Sequence, residues 1–194
     1  MTAQQLALFP SRPALPDGFR YQPDLVPAAE ERALLEAFPA FPFKEFEFHG
    51  FLGRRRVVFY GWRYDFGDGK LHEAAPIPEI LLPLRERAAA FAGLAPEDLP
   101  HVLVTEYTQG AAIGWHRDRA MFGDVIGVSL AAPCVFRFRR KAGAGWERAS
   151  LTLAPRSIYL MRGPSRTEWE HSIPGVDALR YSVTFRTLRD AGRV

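Results

Sequence analysis

The sequence predicts an α+β fold in which helices come first and a β-sandwich or jelly roll follows. Apolar residues recur at helical spacing in two segments before residue 92, and short alternating segments separated by Gly, Pro or Asp follow Pro100. A chain of 194 residues has the length of one domain, and its 47% hydrophobic and 13% aromatic residues are sufficient for a core. The order of these elements favours one domain with a strand-rich centre.

Composition and charge exclude several classes of protein. The longest apolar stretch, residues 125–136, is interrupted by glycine, serine and proline and is too short to cross a bilayer. The N-terminus has no cationic segment followed by an apolar one, so we expect no secretory signal. The single cysteine, Cys134, excludes an internal disulfide and favours the reducing cytoplasm. A net charge of +3 permits a polyanionic partner without requiring one.

The N-terminal part is predicted to contain an arm, two helices and a hairpin. Leu34, Leu35 and Phe38 recur at helical spacing, whereas residues 45–51 alternate as a half-buried strand does. The first 24 residues contain four prolines and show no periodicity. We therefore predict an arm over residues 1–24, a helix over 27–38, strands over 45–51 and 54–60, a mobile aromatic loop over 61–75 and a helix over 77–91.

The chain after Pro100 is predicted to continue as short strands of the same domain, which extends from residue 25 to residue 194. Turn-forming Gly, Pro and Asp separate the segments. The predicted strands are 101–108, 125–130, 133–140, 147–153, 156–162 and 179–188.

A His-x-Asp motif in the strand-rich half suggests a metal site. His116 and Asp118 are two residues apart, so in a strand or its continuation they point to the same side. His171 offers a third donor further along the chain. Two imidazoles and one carboxylate on one face of an ion leave the opposite positions open, as in non-haem Fe(II) sites for oxygen chemistry. Taken alone the motif is weak, because a core or surface histidine is the commoner role of such a residue.

A strand with two arginines on one face strengthens this interpretation. The alternation of residues 179–188 places Arg180, Ser182, Thr184 and Arg186 on the same side. Two guanidinium groups in one cleft repel each other and lose hydration, so they require an anion between them. A small dicarboxylate fits, because arginine binds carboxylates in a bidentate manner. The alternative is a solvated polar face on an edge strand.

Together these motifs resemble those of the AlkB-type Fe(II)/2-oxoglutarate-dependent dioxygenases. That family's pattern is His-x-Asp, a distant His, and two arginines within an Arg-Tyr-x-x-Thr-Phe-Arg string, which stands here at residues 180–186. The resemblance covers about residues 45–188. It implies a double-stranded β-helix (a jelly roll) over about residues 101–190, with N-terminal helices outside and a substrate-recognition lid over about residues 45–75.

The resemblance also implies the cofactor and the residues that bind it. Fe(II) would be held by His116, Asp118 and His171, with 2-oxoglutarate and O2 as cosubstrates. Arg180 would pair with the distal carboxylate of 2-oxoglutarate, and Arg186 would lie near the carboxylate at the metal.

A second segment, residues 105–110, resembles the family's Asn-x-Tyr-x-x-Gly and implies that Tyr107 donates its hydroxyl to the cosubstrate. Thr105 stands here in place of the usual Asn, and Ser182 stands in place of an Asn common between the two arginines. Both substitutes can still form a hydrogen bond with a carboxylate.

The lid would decide the choice of substrate. Tyr60, Trp62 and Tyr64 resemble an aromatic loop in which a ring stacks on a flipped base, with core packing as the alternative. Arg119 stands where the bacterial founding member has a Lys beside the base, and Ala120 stands where that enzyme has an Asp. Phosphate contacts are predicted for Arg54, Arg55, Arg56, Arg137 and Arg139, with a solvated strand face as the alternative.

The function implied is oxidative demethylation of N-alkylated bases in DNA or RNA, as in alkylation damage repair, with release of formaldehyde, succinate and CO2. We expect a cytoplasmic monomer with nucleic acid as its partner and no membrane attachment. Two alternatives remain: the same chemistry on a tRNA modification or a protein side chain, and a non-catalytic nucleic-acid-binding module.

Overall fold

The computed structural model describes residues 15–48, 51–64, 67 and 69–189. The helices are α1 (Ala28–Ala37), α2 (Leu82–Ala92) and the short α3 (Pro164–Thr167), with 3-10 turns at Phe38–Ala40, Glu79–Leu81 and Pro96–Asp98. The strands are β1 (Phe19–Gln22), β2 (Lys44–Phe48), β3 (Phe51–Tyr60), β4 (Trp62–Tyr64), β5 (Leu71–Glu73), β6 (His101–Tyr107), β7 (Ile113–His116), β8 (Phe122–Leu130), β9 (Cys134–Ala142), β10 (Gly145–Leu153), β11 (Ser157–Met161), β12 (Glu170–Ile173) and β13 (Arg180–Leu188).

Two antiparallel sheets form the centre of the molecule. A seven-stranded sheet has the order β1-β11-β8-β13-β6-β3-β2, and a four-stranded sheet has the order β10-β9-β12-β7. Strands distant in sequence lie side by side, as β13 does between β8 and β6. This connectivity confirms the predicted α+β fold with a jelly roll at its centre.

The two faces of the seven-stranded sheet pack against different layers. Val183 and Phe185 of β13 share a buried apolar cluster with Leu34 of α1 and Leu84 of α2. The second cluster, which includes Tyr107 and residues of β9 and β11, lies on the other face, toward the four-stranded sheet. The period of two along β13 therefore puts its apolar side chains under the helices and its polar side chains between the sheets.

The described part of the predicted arm is an edge strand. Residues Phe19–Gln22 form β1, which pairs with β11. The ring of Phe19 packs on Phe138, with ring centres 5.0 Å apart, and thus contributes to the core between the sheets. The rest of the arm, residues 1–14, lies outside the described residues.

The segment predicted as a mobile loop over 61–75 contains a small hairpin instead. Strands β4 and β5 pair with Trp62 opposite Glu73 and Tyr64 opposite Leu71. Gly61 has φ +73° and lies so close to the carbonyl of Pro100 that a side chain would collide with it. This close approach fixes the base of the hairpin, which no local sequence pattern reveals.

The second helix begins later than predicted, because the 3-10 turn Glu79–Leu81 precedes α2. In the described residues, none of the helices is long and apolar enough to span a membrane.

Candidate active site

The polar face of β13 forms one wall of the candidate site. Arg180 is 1% exposed, and its Nε donates a hydrogen bond to Oγ of Ser129 at 3.1 Å. Its guanidinium lies over the ring of Tyr107, 4.7 Å from the ring centre. Nη1 of Arg180 is buried and has no hydrogen-bond partner. A buried guanidinium nitrogen without an acceptor is costly, so this position is suited to an anion.

The register between β6 and β13 brings the remaining predicted cosubstrate residues to the same face of the seven-stranded sheet as Arg180. Tyr107 of β6 is opposite Arg180, and Thr105 is opposite Ser182. Directly opposite residues point to the same side of a sheet, so all four side chains share this wall. The hydroxyl of Ser182 donates to the hydroxyl of Tyr107 at 3.5 Å.

The second wall comes from two short strands of the four-stranded sheet. His116 at the end of β7 is opposite His171 in β12, and their ring centres are 4.2 Å apart. Nδ1 of His116 is 2.9 Å from the carbonyl oxygen of Gly114, to which it can donate only when it carries the proton. That tautomer leaves the Nε2 lone pair of His116 free for a metal ion.

Asp118 lies between the two walls. Arg186 of β13 donates from Nη2 to Oδ1 of Asp118 at 2.8 Å, and Oδ2 lies 3.8 Å from Nε2 of His171. Burial by itself would raise the pKa of Asp118, but the charge of Arg186 holds it well below its ordinary value. Burial, followed by the neighbouring His116, lowers the pKa of His171 to about 3, so this imidazole is neutral near pH 7.

The three predicted metal donors are therefore neighbours, although they do not surround a common point. In the described residues no three His, Cys, Asp or Glu side chains have the arrangement of a completed metal site. Oδ2 of Asp118 is nevertheless buried and lacks a hydrogen-bond partner. One ionised carboxylate with an unpaired buried oxygen, beside the neutral imidazole of His171 and the imidazole of His116, is a donor set that fits a divalent transition metal.

Two supporting residues were missed at the sequence level. His101, buried at the start of β6, has its Nδ1 3.5 Å from Nη1 of Arg186. Burial, and next the charge of Arg186, keep the pKa of His101 well below its ordinary value. A neutral His101 can accept from Arg186 and so support its orientation toward Asp118. No local pattern identifies such a residue, because its role depends on a partner 85 positions away.

The second missed residue is Arg166 of α3, which is 5% exposed. It donates to the backbone carbonyl oxygens of Arg119, Phe122 and Gly123. One guanidinium thus holds the turn that directly follows the His-x-Asp motif. Its location in a four-residue helix gives no periodic signal in the sequence.

The three consecutive arginines of β3 do not act as one group. Arg55 is opposite Tyr107, so its half-buried side chain faces the candidate site, and burial lowers its pKa. Arg56 lies on the other face, where it donates to both oxygens of Glu106 at 2.7 and 2.9 Å. Arg54 is exposed near Gly110. Arg56, one of the residues predicted to contact phosphate, thus has a structural partner on the face away from the candidate site.

The lid aromatics also have different environments. Tyr60 is buried and packs edge-on against Phe41, with ring centres 5.6 Å apart, as in a core contact. Trp62 and Tyr64 are half-buried in β4. The guanidinium of Arg119 lies 5.1 Å from the ring centre of Tyr64, so the lid contacts the turn after the His-x-Asp motif.

Arg137 and Arg139 of β9 point away from the candidate metal donors. Their Nε atoms donate to Ser172 Oγ at 3.0 Å and to a Glu170 carboxylate oxygen at 2.6 Å. Both partners alternate along β12 with His171, so they lie on the opposite face of that strand.

Comparison with known proteins connects this geometry to a family. Residues 53–186 match the model of the 2OG-Fe(II) oxygenase superfamily. A protein of Arabidopsis thaliana described as "Alkylated DNA repair protein ALKBH8 homolog" is 31% identical over 193 residues, which cover 86% of this chain and 54% of the relative. "DNA oxidative demethylase ALKBH2" of Bos taurus is 32% identical over 142 residues, covering 66% of this chain and 50% of that protein.

Two further similarities concern tRNA modification and the fold. The Xenopus tropicalis protein "tRNA (carboxymethyluridine(34)-5-O)-methyltransferase alkbh8" is 27% identical over 83% of this chain and 26% of its own length. The chain thus spans about half or less of the length of these relatives. The solved structure of OsALKBH1 superposes with a TM-score of 0.70 at 14% identity, covering 90% of this chain and 98% of the other.

The family match extends from β3 to β13 and so includes both walls of the site and the turn between them. The shared fold and the ALKBH relatives agree with the arginine string that first indicated the family. This chain therefore belongs to the AlkB-type 2OG-Fe(II) oxygenases.

Proposed function

We propose that this dioxygenase removes N-alkyl groups from bases of DNA or RNA, releasing formaldehyde, succinate and CO2. The observation that carries the proposal is two buried atoms without a hydrogen-bond partner at the polar face of β13: Nη1 of Arg180, and Oδ2 of Asp118, whose other oxygen accepts from Arg186 of that strand. The first is suited to an anion and the second to a cation, which are the requirements of a metal-bound dicarboxylate.

In this proposal His116, Asp118 and His171 hold Fe(II), and Arg180 pairs with the distal carboxylate of 2-oxoglutarate. Bound Fe(II), with 2-oxoglutarate and O2, would supply the oxidising chemistry that hydroxylates the N-alkyl carbon. The protein contributes buried surroundings, a neutral His171 and an ionised Asp118 held in place by Arg186. Tyr107 would donate its hydroxyl to the cosubstrate, supported by Ser182 at 3.5 Å.

The nucleic-acid part of the proposal is supported by the lid and by the relatives. Trp62 and Tyr64 offer half-buried rings beside Arg119, an arrangement suited to a flipped base. Arg55 extends the cationic wall near Tyr107, where a phosphate or a carboxylate could bind. A relative is described as a DNA oxidative demethylase, which makes alkylated bases the first substrates to test.

A second candidate is oxygenation of a modified tRNA base. It is favoured by the two ALKBH8 relatives, whose alignments cover 86% and 83% of this chain. The absence of a carboxylate at Ala120 agrees with a base other than those read by the bacterial founding member. The non-catalytic binding module considered from the sequence does not agree with membership of a dioxygenase family.

The test is a substrate comparison with the intact chain, Fe(II), 2-oxoglutarate and O2. Succinate and formaldehyde are measured together with methylated single-stranded DNA, methylated duplex DNA, methylated RNA, or tRNA carrying its natural modifications. Release of formaldehyde in proportion to succinate on a methylated oligonucleotide supports dealkylation. Succinate stimulated by tRNA alone, without formaldehyde, would transfer support to the second candidate.

A further inference from the structure

We propose that the outer face of the four-stranded sheet binds single-stranded nucleic acid, with a base stacked on Trp146 and phosphates paired with arginines of β9 and β10. This inference rests on the proposed function, because it describes how a nucleic-acid substrate is held outside the cleft. We name this surface the basic-aromatic face. Its members are Trp115 of β7, Arg137, Arg139 and Lys141 of β9, Trp146 and Arg148 of β10, and Glu170 of β12.

Strand alternation and register place these residues on one side of the sheet. Phe136 and Phe138 of β9 are buried between the sheets, so the intervening Arg137 and Arg139 point outward. In the adjacent strand, Arg148 is opposite Arg139, and Trp146 is opposite Lys141. In β12, Glu170 is opposite Arg139 and Ser172 is opposite Arg137, while His171 points inward.

Cations and indole rings alternate along this face. The Cζ of Arg137 lies 5.0 Å from the ring centre of Trp115, and that of Arg139 lies 4.6 Å from the same ring. Arg139 also lies 4.3 Å from the ring centre of Trp146, and Nζ of Lys141 lies 5.3 Å from that ring. Stacking on an indole uses the flat face of a guanidinium, so its edge remains able to donate hydrogen bonds.

The charge of the face suits a polyanion. Four cationic side chains are offset by the single carboxylate of Glu170, which gives the face a net charge of +3. In the described residues the hydrogen bonds of Arg137 and Arg139 start from Nε. The terminal nitrogens of both guanidinium groups thus remain suited to phosphate oxygens.

The exposed indole favours nucleic acid over an acidic protein. Trp146 is 39% exposed, in contrast to the buried Trp169. A phosphate backbone with bases offers both an anion and a ring for stacking, whereas a run of acidic side chains offers the anion alone. A single strand fits better than a duplex, because the bases of a duplex are already stacked on each other.

The basic-aromatic face and the candidate site occupy opposite sides of the same two strands, β7 and β12. Trp115 directly precedes His116, and Glu170 directly precedes His171, so neighbouring side chains project to opposite sides of β7 and β12. A nucleic-acid strand bound to the face is therefore separated from the metal donors by the thickness of this one sheet. Because β7 is the edge strand of the four-stranded sheet, nucleotides that flank those bound here would reach the candidate site around that edge.

The test measures binding of fluorescent 12-nucleotide single strands and duplexes to the intact chain by anisotropy. Trp146→Ala should weaken single-strand binding by about fivefold to 150-fold, the range expected for loss of one stacked base, and Trp146→Phe should restore most of it. Arg148→Ala should reduce the slope of log affinity against log salt by about 0.7. Arg32→Ala, which removes one exposed cation from α1, is the matched control and should change neither quantity.

Three results would overturn the proposal. The first is wild-type affinity in Trp146→Ala, and the second is an equal loss in Arg32→Ala. The third is equal displacement by polyglutamate of the same charge, which would assign the face to an acidic protein.

The binding test of the basic-aromatic face and the substrate test of the proposed function can succeed or fail independently. Loss of single-strand binding in Trp146→Ala, in a protein that dealkylates none of the methylated substrates, would support the face and contradict the dealkylase. Efficient dealkylation that is unaffected by Trp146→Ala would support the dealkylase and contradict the basic-aromatic face.

Discussion

Arg186 donates a hydrogen bond from Nη2 to Oδ1 of Asp118 over 2.8 Å, although the two residues are 68 positions apart in the chain. Both side chains are at most 10% exposed, so the pair connects the long strand β13 with the turn after β7 in a dry environment. Because Oδ1 of Asp118 accepts this hydrogen bond, Oδ2 is the oxygen that faces His171, 3.8 Å from its Nε2. Arg186, on the polar face of β13, therefore also orients a candidate metal ligand.

Removing a metal donor should abolish stabilisation by metal. We expect Fe(II) or Mn(II) at 100 times its dissociation constant to stabilise the wild type by about 2.7 kcal/mol. In Asp118→Asn and His171→Ala this gain should disappear, because two donors hold the ion too weakly. The melting temperature with and without metal measures the effect. His72→Ala, a change in the exposed strand β5, is the control, and an unchanged metal response in His171→Ala would remove that residue from the site.

Arg180→Ala should raise the KM for 2-oxoglutarate, at a cost of about 2–5 kcal/mol, because a buried carboxylate would lose its bidentate partner. Arg180→Lys should recover only part of the loss, since a point charge cannot reproduce the two parallel hydrogen bonds. Steady-state kinetics with varied 2-oxoglutarate provide the measurement. A KM like that of the wild type in the Ala variant would place the cosubstrate elsewhere.

The ion pair of Arg56 and Glu106 should make stability depend on pH. The hydrogen bond from Arg56 lowers the pKa of Glu106, burial opposes it, and the hydroxyl of Tyr181 at 3.0 Å supports it. A lowered pKa contributes stability that is present above the unfolded value of about 4.3 and is lost as the pH falls through the folded value.

We therefore expect Arg56→Gln to cost about 1–2 kcal/mol at pH 7, a moderate figure because the Arg56 side chain is 49% exposed. The cost should shrink as the pH falls through the lowered pKa of Glu106, because a protonated carboxyl no longer forms the ion pair. Urea denaturation between pH 3 and pH 7 measures it, with Arg54→Gln on the same strand as the control. An equal cost at every pH would contradict the ion pair as its source.

The lid aromatics should separate into a core residue and substrate residues. Tyr60→Ala should lower the stability by about 3–5 kcal/mol and reduce every activity, because this ring is buried against Phe41. Trp62→Ala should reduce turnover of methylated oligonucleotide while leaving decarboxylation without substrate largely intact. Thermal unfolding and succinate release distinguish the two. If Trp62→Ala reduces both activities equally and also melts earlier, the ring has a packing role.

Arg166→Lys should loosen the turn after the His-x-Asp motif. Lysine keeps the charge but cannot donate to three backbone carbonyls in one plane, so about 1–3 kcal/mol of stability should be lost. Amide hydrogen exchange should increase locally at residues 119–123. Arg162→Lys, whose guanidinium binds the exposed side of Asp124, serves as the comparison and should leave that turn protected.

Much of the fold could be predicted from the sequence because the informative patterns are local. The period of two in residues 180–186 places apolar and polar side chains on opposite faces of β13, and the structure packs those faces against different layers. Helical spacing before Pro39 and before Gly93 predicted α1 and α2 for the same reason. The long strands β6, β8, β9, β10 and β13 were all predicted, since each carries enough residues to show alternation.

Other features were decided only by tertiary structure, because their partners are distant in the chain. The four-residue strands β7 and β12, which carry His116 and His171, are too short for a pattern and exist because they pair with each other. The lid hairpin depends on Gly61 lying against the carbonyl of Pro100, and Arg166 depends on carbonyl groups more than 40 positions away. The sequence by itself determined which residue types were available and which face of a long strand they occupy. Packing of the two sheets decided that Asp118, Arg186 and the two histidines meet, since only folding brings strands so far apart in the chain into contact.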